Sequence, residues 1–347
     1  MRFKYILGGF AAFFLSMALG MVTYYYIHPL LPKEMAMYEL KKEIDEEAEE
    51  KAVAYSFNGW KDKPRKRALA VVIDNEEEAR PQAGLERADV VVELPIEGGI
   101  TRFIAIISRE DSDLVGPVRS ARPHFVELAG EYKAILVHAG GSEEALQKIA
   151  TEEPDHLDQI YGGYQVAAAF WRTPDQRKPH NLFTSYDTLR RVAKQLKMNI
   201  TFLPPQRLLL SQDAEVTGEE VEDLHIFYSH KSYLVRFVFN KEKGIFERFI
   251  SDKDKPHLNA AGEQLTAANV LVQFAPYRYK DGDGHLQLIM DGEGEALIFR
   301  AGKVIKGRWE KTPGNLTKFT DEKGTVVPLL EGPTWIEVVP QGSRVDY

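Results

Sequence analysis

Two arginines stand three residues apart in the segment GPVRSARP, residues 116–123, between a Gly-Pro pair and a second proline. A guanidinium can bind a phosphate or a carboxylate through two parallel hydrogen bonds, so Arg119 and Arg122 could form a fork for an anion. The alternative is that both arginines pair with nearby acids and hold a loop in place. The spacing alone leaves both readings open.

Other polar residues follow predicted strands in the same part of the chain. Asp74 ends an apolar run, Arg102 follows the turn sequence Glu-Gly-Gly, and Gly140-Gly141-Ser142 precedes a predicted helix that Ser142 would cap. Ligands gather at the carboxyl ends of strands in parallel or mixed sheets, where free backbone N–H groups help to hold anions. The predicted ligand-binding residues are Arg102, Arg119, Ser120, Arg122, Gly140, Gly141, Ser142 and His180.

Acid–base chemistry would need a histidine beside a carboxylate, and the predicted catalytic residues are Asp74 and His138. His138 follows an apolar strand, and His180 in RKPHNLFTS is a second histidine that could pair with Asp74. A hydrogen-bonded structural role is the alternative for a histidine at a strand end. No metal-ligand spacing or cofactor motif is present in the sequence. The segment DGDG at 281–284 is predicted to form a β-turn.

Trp171, Trp309 and Trp335 are predicted to fill cores, and stacking on carbohydrate is the alternative for Trp171.

The elements that must position these residues can be outlined from hydrophobic patterning. Strands are predicted in 67–75, in 89–108 around a Glu-Gly-Gly turn, and in 133–141. Helices are predicted at 125–132 and at 186–197, where apolar residues recur every three or four positions. This half of the chain is therefore predicted to form an α+β or α/β domain with a mixed sheet.

The second half changes character near Pro204-Pro205, and alternating strand-like runs separated by turns begin at Leu224. The runs are HIFYSH, YLVRFVFN, IFERFI, VLVQFAPYRY, HLQLIM, EALIFR and TWIEVVP. Such a series predicts a mostly antiparallel β domain.

The N-terminal residues predict a membrane anchor. Residues 6–27 carry no charge, follow Arg2 and Lys4, and are long enough to span a bilayer as a helix. Basic residues before the span and acidic ones after it orient the bulk of the chain outside the cytoplasm. A cleaved signal peptide ending near SMALGM is the alternative.

Composition excludes several classes of function. The formal net charge is -8, and the acidic stretch 34–51 accounts for most of it, so a general nucleic-acid-binding surface is not expected. The chain contains no cysteine, which excludes disulfides, zinc–thiolate sites, thiol catalysis and acylation of an N-terminal cysteine.

Together these observations divide the chain into four parts. We predict a single-pass anchor in the cell membrane at 1–33, a charged stalk at 34–64, the α/β domain at 65–205 and the β-rich domain at 206–347.

Longer motifs resemble the YerB-like family of Gram-positive surface proteins over residues 65–340. They are AVVIDN, ARPQAGLERADVVVE, EGGITRF, GPVRSARPHFVELAGEY, VHAGGS and KPHNLFTS, followed by GKVIKGRWEK, TKFTDEKGT and GPTWIEVVP. The resemblance implies a two-domain lipoprotein-type protein on the outer face of the membrane, without an established activity and therefore without catalytic residues to carry over. Because this chain lacks cysteine, a transmembrane helix would have to replace the lipid.

The arrangement of strands and arginine loop is also similar in outline to LytR-CpsA-Psr ligases, which hold polyprenyl pyrophosphates with arginines. Arg102, Arg119 and Arg122 would be the analogues, although the acid–arginine pattern of those enzymes is not clearly matched.

The leading hypothesis is thus a membrane-anchored envelope protein that binds an anionic ligand: a phosphate-bearing lipid, a wall polymer or a carboxylate. The alternatives are a hydrolase or phosphotransferase acting on an envelope substrate, or a scaffold whose β domain binds other surface proteins.

Overall fold

The computed structural model describes residues 66–108, 114–201, 218–228, 233–250, 255–279 and 286–347. The predicted membrane span at 6–27 and the turn at 281–284 lie outside these ranges. No helix in the described part of the chain is both long and apolar enough to cross a membrane.

The first half of the chain alternates strands and helices. Its strands are β1 (Leu69–Asp74), β2 (Val90–Pro95), β3 (Thr101–Ile107), β4 (Ile135–His138), β5 (His156–Asp158), β6 (Trp171–Arg172) and β7 (Leu182–Phe183). Its α-helices are α1 (Pro123–Glu131), α2 (Glu143–Glu152), α3 (Gly163–Ala167) and α4 (Tyr186–Gln195), and short 3-10 helices cover Glu77–Ala79, Leu85–Arg87 and Glu97–Gly99.

The second half is built from strands. They are β8 (Glu219–Glu220), β9 (Asp223–Phe227), β10 (Leu234–Asn240), β11 (Ile245–Ile250), β12 (Lys255–Pro256), β13 (Thr266–Ala267), β14 (Asn269–Ala275), β15 (Tyr277–Tyr279), β16 (Leu286–Leu288), β17 (Gly292–Arg300), β18 (Lys303–Lys311), β19 (Lys318–Asp321), β20 (Thr334–Pro340) and β21 (Val345–Asp346).

One large sheet contains strands from both halves of the chain. Its order is β19-β18-β17-β14-β20-β2-β3-β1-β4-β5, with β8 also paired to β18. The halves join where β2 and β20 run parallel, with Val90 opposite Thr334 and Glu93 opposite Glu337. The predicted mixed sheet is confirmed, since β1 pairs antiparallel with β3 and parallel with β4.

The second half also forms a smaller, antiparallel sheet in the order β12-β11-β10-β9-β21, with β13 paired to β11. The prediction of a mostly antiparallel C-terminal region is confirmed, although β14 and β20 within it are parallel.

The large sheet is buried on both faces, which explains the continuous apolar runs of its central strands. On one face Val72 and Ile104 belong to the same core as Phe125 of α1. On the other face Val71 shares a core with Leu189 of α4 and with side chains of the smaller sheet, including Phe237.

Two serines begin helices by capping them. The Ser142 Oγ accepts a hydrogen bond from the Ala145 N–H at the start of α2, as predicted from its position, and Ser185 caps α4 through the Thr188 N–H. Glu143 in the first turn of α2 adds a favourable interaction with the helix dipole.

Candidate functional site

The arginine loop, defined here as residues 116–122, lies across the carboxyl ends of β1 and β4. The Asp74 N–H donates a hydrogen bond to the carbonyl oxygen of Pro117, and the Arg119 N–H donates to that of Val72. The Ala121 N–H donates to the carbonyl oxygen of Gly140, and all three distances are 2.9–3.0 Å. These backbone bonds hold the loop as an additional extended segment between the two strand ends.

The loop begins at a position that only glycine fits well. Gly116 has φ +147°, and a Cβ at this residue would lie 2.8 Å from the carbonyl oxygen of Leu182 in β7. The missing side chain therefore allows the loop to pack directly on β7, where the Val118 N–H donates to Leu182.

Asp74 lies at the centre of a cluster of polar side chains next to the arginine loop. Its carboxylate is completely buried, and Oδ2 lies 2.9 Å from Nε of Arg119 and 2.8 Å from Nδ1 of His180. Arg119 also reaches Glu76, with Nη2 3.2 Å from Oε1. Arg119 is thus shared between a buried carboxylate and a partly exposed one.

Arg122 is paired with Glu97, which belongs to the turn between β2 and β3. Nε of Arg122 donates to both carboxylate oxygens, at 2.7 and 2.8 Å, and Nη2 donates to Oε1. Burial alone would raise the pKa of Glu97, but the hydrogen bonds from Arg122 outweigh it and the pKa is lowered.

Arg102 lies beside these groups and is the most buried of the three arginines. It is the register partner of Asp74, is 3% exposed, and donates from Nη1 to the Ser120 carbonyl at 2.9 Å. Its Nε is buried without a hydrogen-bond partner. Burial, followed by the positive charge of Arg122, lowers the pKa of Arg102 to about 10.

The glycine-rich segment beside the loop already uses part of its hydrogen-bonding capacity. The Gly140 N–H donates to Asp158 Oδ1 at 2.8 Å, and the Ser142 N–H donates to the Ala121 carbonyl. Gly141 packs against Ala121, to which it forms a β-bridge. The segment that was predicted to cradle an anion therefore supports the arginine loop from below.

The histidine that contacts Asp74 is His180, not His138. His138 is fully buried at the end of β4, where Nδ1 bonds to the Gly140 carbonyl and Nε2 lies 3.1 Å from Nδ1 of His156. Burial lowers the pKa of His138, which favours the neutral ring. His138 thus occupies a position next to the cluster, as a hydrogen-bonded residue beneath the Gly140 turn.

Asp74, Glu76 and His180 place one ligand atom each within 4.8 Å of one another. These are residue types that can bind a divalent cation. Arg119 forms ion pairs with the same two carboxylates, and its positive charge opposes a cation there.

Sequence reasoning missed a fully buried ionic network next to this site. Arg248 of β11 bridges Glu93 and Glu337, and its guanidinium lies 4.2 Å from the ring centre of Trp335. Each of these acids interrupts a buried apolar strand, and that interruption is the signal that could have indicated a hidden cation.

The network continues to the candidate site through hydrogen bonds. Nε of Arg248 donates to Nδ1 of His257, so Nε2 carries the ring proton and donates to Gln82. Burial and then the charge of Arg248 lower the pKa of His257 well below its usual value, which matches a neutral ring. Gln82 in turn donates to the Asp74 carbonyl and to Asn75.

Comparisons with known proteins agree with this architecture. Residues 58–199 match the family model "Protein of unknown function (DUF3048) N-terminal domain", and residues 224–336 match the corresponding C-terminal domain.

A relative named "Putative lipoprotein YerB", from Bacillus subtilis (strain 168), is 32% identical over 278 residues, covering 79% of this chain and 82% of the relative. The crystal structure of YerB from Bacillus subtilis superposes with a TM-score of 0.72 at 29% identity, covering 84% of this chain and 98% of that one. The resemblance seen in the sequence motifs is confirmed, and the chain belongs to the YerB-like family, whose two domains are of unknown function.

Proposed function

We propose that this chain is a membrane-anchored protein of the cell envelope that binds a phosphate or carboxylate group of its ligand through Arg102, Arg119 and Arg122. The relative's name as a lipoprotein supports an envelope location. Since the sequence has no cysteine to acylate, we propose that residues 6–27 provide the anchor as a single transmembrane helix.

The observation that carries the anion-binding proposal is the state of Arg102. Its guanidinium is almost fully buried, lies in the field of two further arginines, and has an Nε without a hydrogen-bond partner. An unpaired buried donor on a charged group is costly, and an anion that approaches it would offset the cost.

The carboxylates around the arginines indicate how such an anion would bind. Asp74 is fully buried, whereas the side chains of Glu76 and Glu97 are 29% and 39% exposed. We infer that Asp74 is a permanent part of the site and that the two glutamates occupy positions that ligand oxygens take when bound. Release of either glutamate into water would cost little compared with release of Asp74.

Isothermal titration of the full-length chain with inorganic pyrophosphate tests this proposal. Arg122→Ala should weaken binding by about tenfold or more, because it removes charge-assisted hydrogen bonds worth roughly 1.5–3 kcal/mol. Glu97→Gln should strengthen binding, because it weakens the internal competitor for Arg122.

Arg344→Ala is the matched control, since Arg344 is exposed, lies outside the arginine loop, pairs with Asp346 and stacks over the ring of Phe227. The proposal fails if the wild type does not bind pyrophosphate, or if Arg122→Ala and Arg344→Ala leave its affinity equally unchanged.

The pairing of Asp74 with His180 favours a second candidate, a hydrolase or phosphotransferase. A buried carboxylate that binds Nδ1 of a histidine orients the ring and leaves Nε2 to act as a base. Hydrolysis of bis(p-nitrophenyl) phosphate that is lost in His180→Ala and retained in His138→Ala would support an enzyme. Hydrolysis that His180→Ala leaves unchanged would argue against it.

A further inference from the structure

An exposed apolar patch lies beside the arginine loop, and we call Ile160, Tyr161 and Tyr164 the tyrosine patch. Their exposed fractions are 56%, 70% and 88%. Large apolar side chains exposed in a group are unusual on a protein surface and often mark a binding site.

The patch is connected to the arginine loop through Gly140. A Cβ on Gly140 would lie 3.0 Å from Cδ1 of Ile160 and 3.9 Å from Cε2 of Tyr161, so both side chains pass directly over this glycine. The carbonyl of Gly140 accepts the hydrogen bond from Ala121, which lies between Ser120 and Arg122. The tyrosine patch therefore lies next to the part of the arginine loop that carries Ser120 and Arg122.

The backbone below the patch is held in place by one buried carboxylate. Asp158 Oδ1 accepts hydrogen bonds from the N–H groups of Gly140 and Ile160, both at 2.8 Å. The carbonyl of Asp158 accepts a further bond from the Gly162 N–H, where a Cβ would come within 2.5 Å of it. The rings are thus presented to solvent from a fixed backbone, which lowers the entropy cost of binding.

Trp171 adds a further exposed aromatic side chain near the opposite end of the loop. It is 40% exposed and lies in β6, whose partner strand β7 accepts the hydrogen bond from Val118. Exposed aromatic side chains therefore occur on both flanks of the loop.

We infer that the tyrosine patch stacks on sugar rings of an anionic glycan whose phosphate or carboxylate group is held by the arginines. The C–H face of a pyranose packs on the electron-rich face of an aromatic ring, and tyrosine adds a hydroxyl for the sugar's hydroxyl groups. Open, solvent-facing rings suit a sugar chain better than an acyl chain, which gains most when it is enclosed. This inference rests on the proposed function for its charged half only.

Saturation-transfer NMR and titration of the full-length chain can separate sugar stacking by the tyrosine patch from anion binding by the arginines. The probes are inorganic phosphate, neutral tetra-N-acetylchitotetraose, the same tetrasaccharide with a 1-phosphate, and decyl phosphate. The phosphorylated tetrasaccharide should bind about tenfold more tightly than inorganic phosphate, which corresponds to stacking on two rings. Tyr161→Ala with Tyr164→Ala should remove this advantage and leave the affinity for inorganic phosphate unchanged.

Tyr277→Ala is the control for loss of an exposed tyrosine, because Tyr277 lies in the separate hairpin of β15 and β16. Equal affinities for phosphate and the phosphorylated tetrasaccharide would overturn the inference. It would also be overturned if decyl phosphate gained the same advantage and lost it in the tyrosine variant, since the patch would then bind apolar chains.

If the arginines do not bind an anion, the same experiment gives a different pattern of affinities. The neutral tetrasaccharide would bind with a dependence on the tyrosines, whereas Arg122→Ala would not change the affinity of any probe. Sugar recognition by the patch would then be supported and the charged half of the inference would be overturned.

Discussion

Glu93 and Glu337 are register partners on the parallel strands β2 and β20, and both carboxylates are completely buried. Two like charges in this position repel each other, and Arg248 can neutralise only one of them. Burial raises the pKa of Glu337 to about 8, with the charge of Glu93 adding to the rise and Arg248 opposing it. A protonated Glu337 leaves the buried triad electrically neutral.

Tyr228 can accommodate that proton. Its hydroxyl lies 2.9 Å from Oε2 of Glu337 and 3.3 Å from the carbonyl oxygen of Glu93. When the hydroxyl donates to the carbonyl, its oxygen can accept a hydrogen bond from a protonated Glu337.

The first prediction concerns the pH dependence of folding. Because the pKa of Glu337 is higher in the folded state than its usual 4.5, the folded chain binds the proton more tightly. The stability from this group is therefore complete below about pH 4.5 and is lost as pH rises towards 8.

Glu337→Gln should remove this loss. As pH rises from 5 to 9, the free energy of unfolding of the variant should therefore increase by on the order of 3 kcal/mol relative to that of the wild type. Urea unfolding across this range measures the effect. Parallel pH profiles for the two proteins would contradict the prediction.

The second prediction concerns Arg248. Arg248→Met leaves the buried carboxylate of Glu93 without its cation beside the protonated Glu337, and it should destabilise the chain by about 3–5 kcal/mol at neutral pH. Adding Glu93→Gln and Glu337→Gln should recover much of the loss, because the uncompensated charge of Glu93 and the ionisable group of Glu337 are then absent. Urea unfolding of the single and triple variants measures both effects, and a triple variant no more stable than Arg248→Met would refute the explanation.

The third prediction concerns Lys311 and Glu131, which form a buried ion pair at 2.8 Å and connect β18 to α1. Lys311→Met should cost about 3 kcal/mol or more, because Glu131 would be left as a buried charge. Lys306→Met is the control, since the pair that Lys306 forms with Glu219 is exposed to solvent and should contribute little to stability. Equal losses in the two variants, measured by thermal unfolding, would rule out the role of burial.

The fourth prediction concerns Asp74. Asp74→Asn removes the charge that holds His180 and Arg119, and it should increase amide hydrogen exchange in the segment 173–181 between β6 and β7. The expected loss of stability is about 1–3 kcal/mol. Asp175→Asn in the same segment should leave exchange unchanged because Asp175 is exposed. Identical exchange in the wild type and Asp74→Asn would show that the pairing does not restrain the segment.

The fifth prediction compares two glycines. Gly116→Ala should destabilise the chain by about 1–3 kcal/mol, because φ is positive and the new methyl group would collide with Leu182. Gly130→Ala in α1 should stabilise it by up to about 1 kcal/mol, since its Cβ would meet nothing within 4 Å. Thermal unfolding distinguishes the two, and a stable Gly116→Ala variant would show that the loop can shift away from β7.

Sequence patterns predicted the elements that local physics controls. The buried strand ending at Asp74, the Glu-Gly-Gly turn before Arg102 and the cap at Ser142 all depend on residues close together in the chain. Their geometry follows from short-range hydrogen bonds and apolar periodicity, which a sequence displays directly.

Contacts between distant residues were not predictable in the same way. In IFERFI the buried positions are Phe246 and Arg248, so an arginine occupies the apolar face of β11 where alternation alone would place a second hydrophobic residue. Likewise, the position of His138 at a strand end predicted it as the partner of Asp74, whereas the histidine that contacts Asp74 is His180, which lies in a loop. Both cases depend on tertiary packing of segments that lie about a hundred or more residues apart, which periodicity does not encode.

The parallel pairing of β2 with β20 has a consequence for the order of assembly. β2 lies between β3 and β20, and its second neighbour is synthesised about 240 residues later, so this edge of the N-terminal half stays open during translation. A chain that is synthesised gradually would therefore complete its central sheet only after β20 has emerged. Until then β2 is an apolar edge strand that is paired with β3 and open on its other side, and protection of that open edge by a chaperone would limit aggregation.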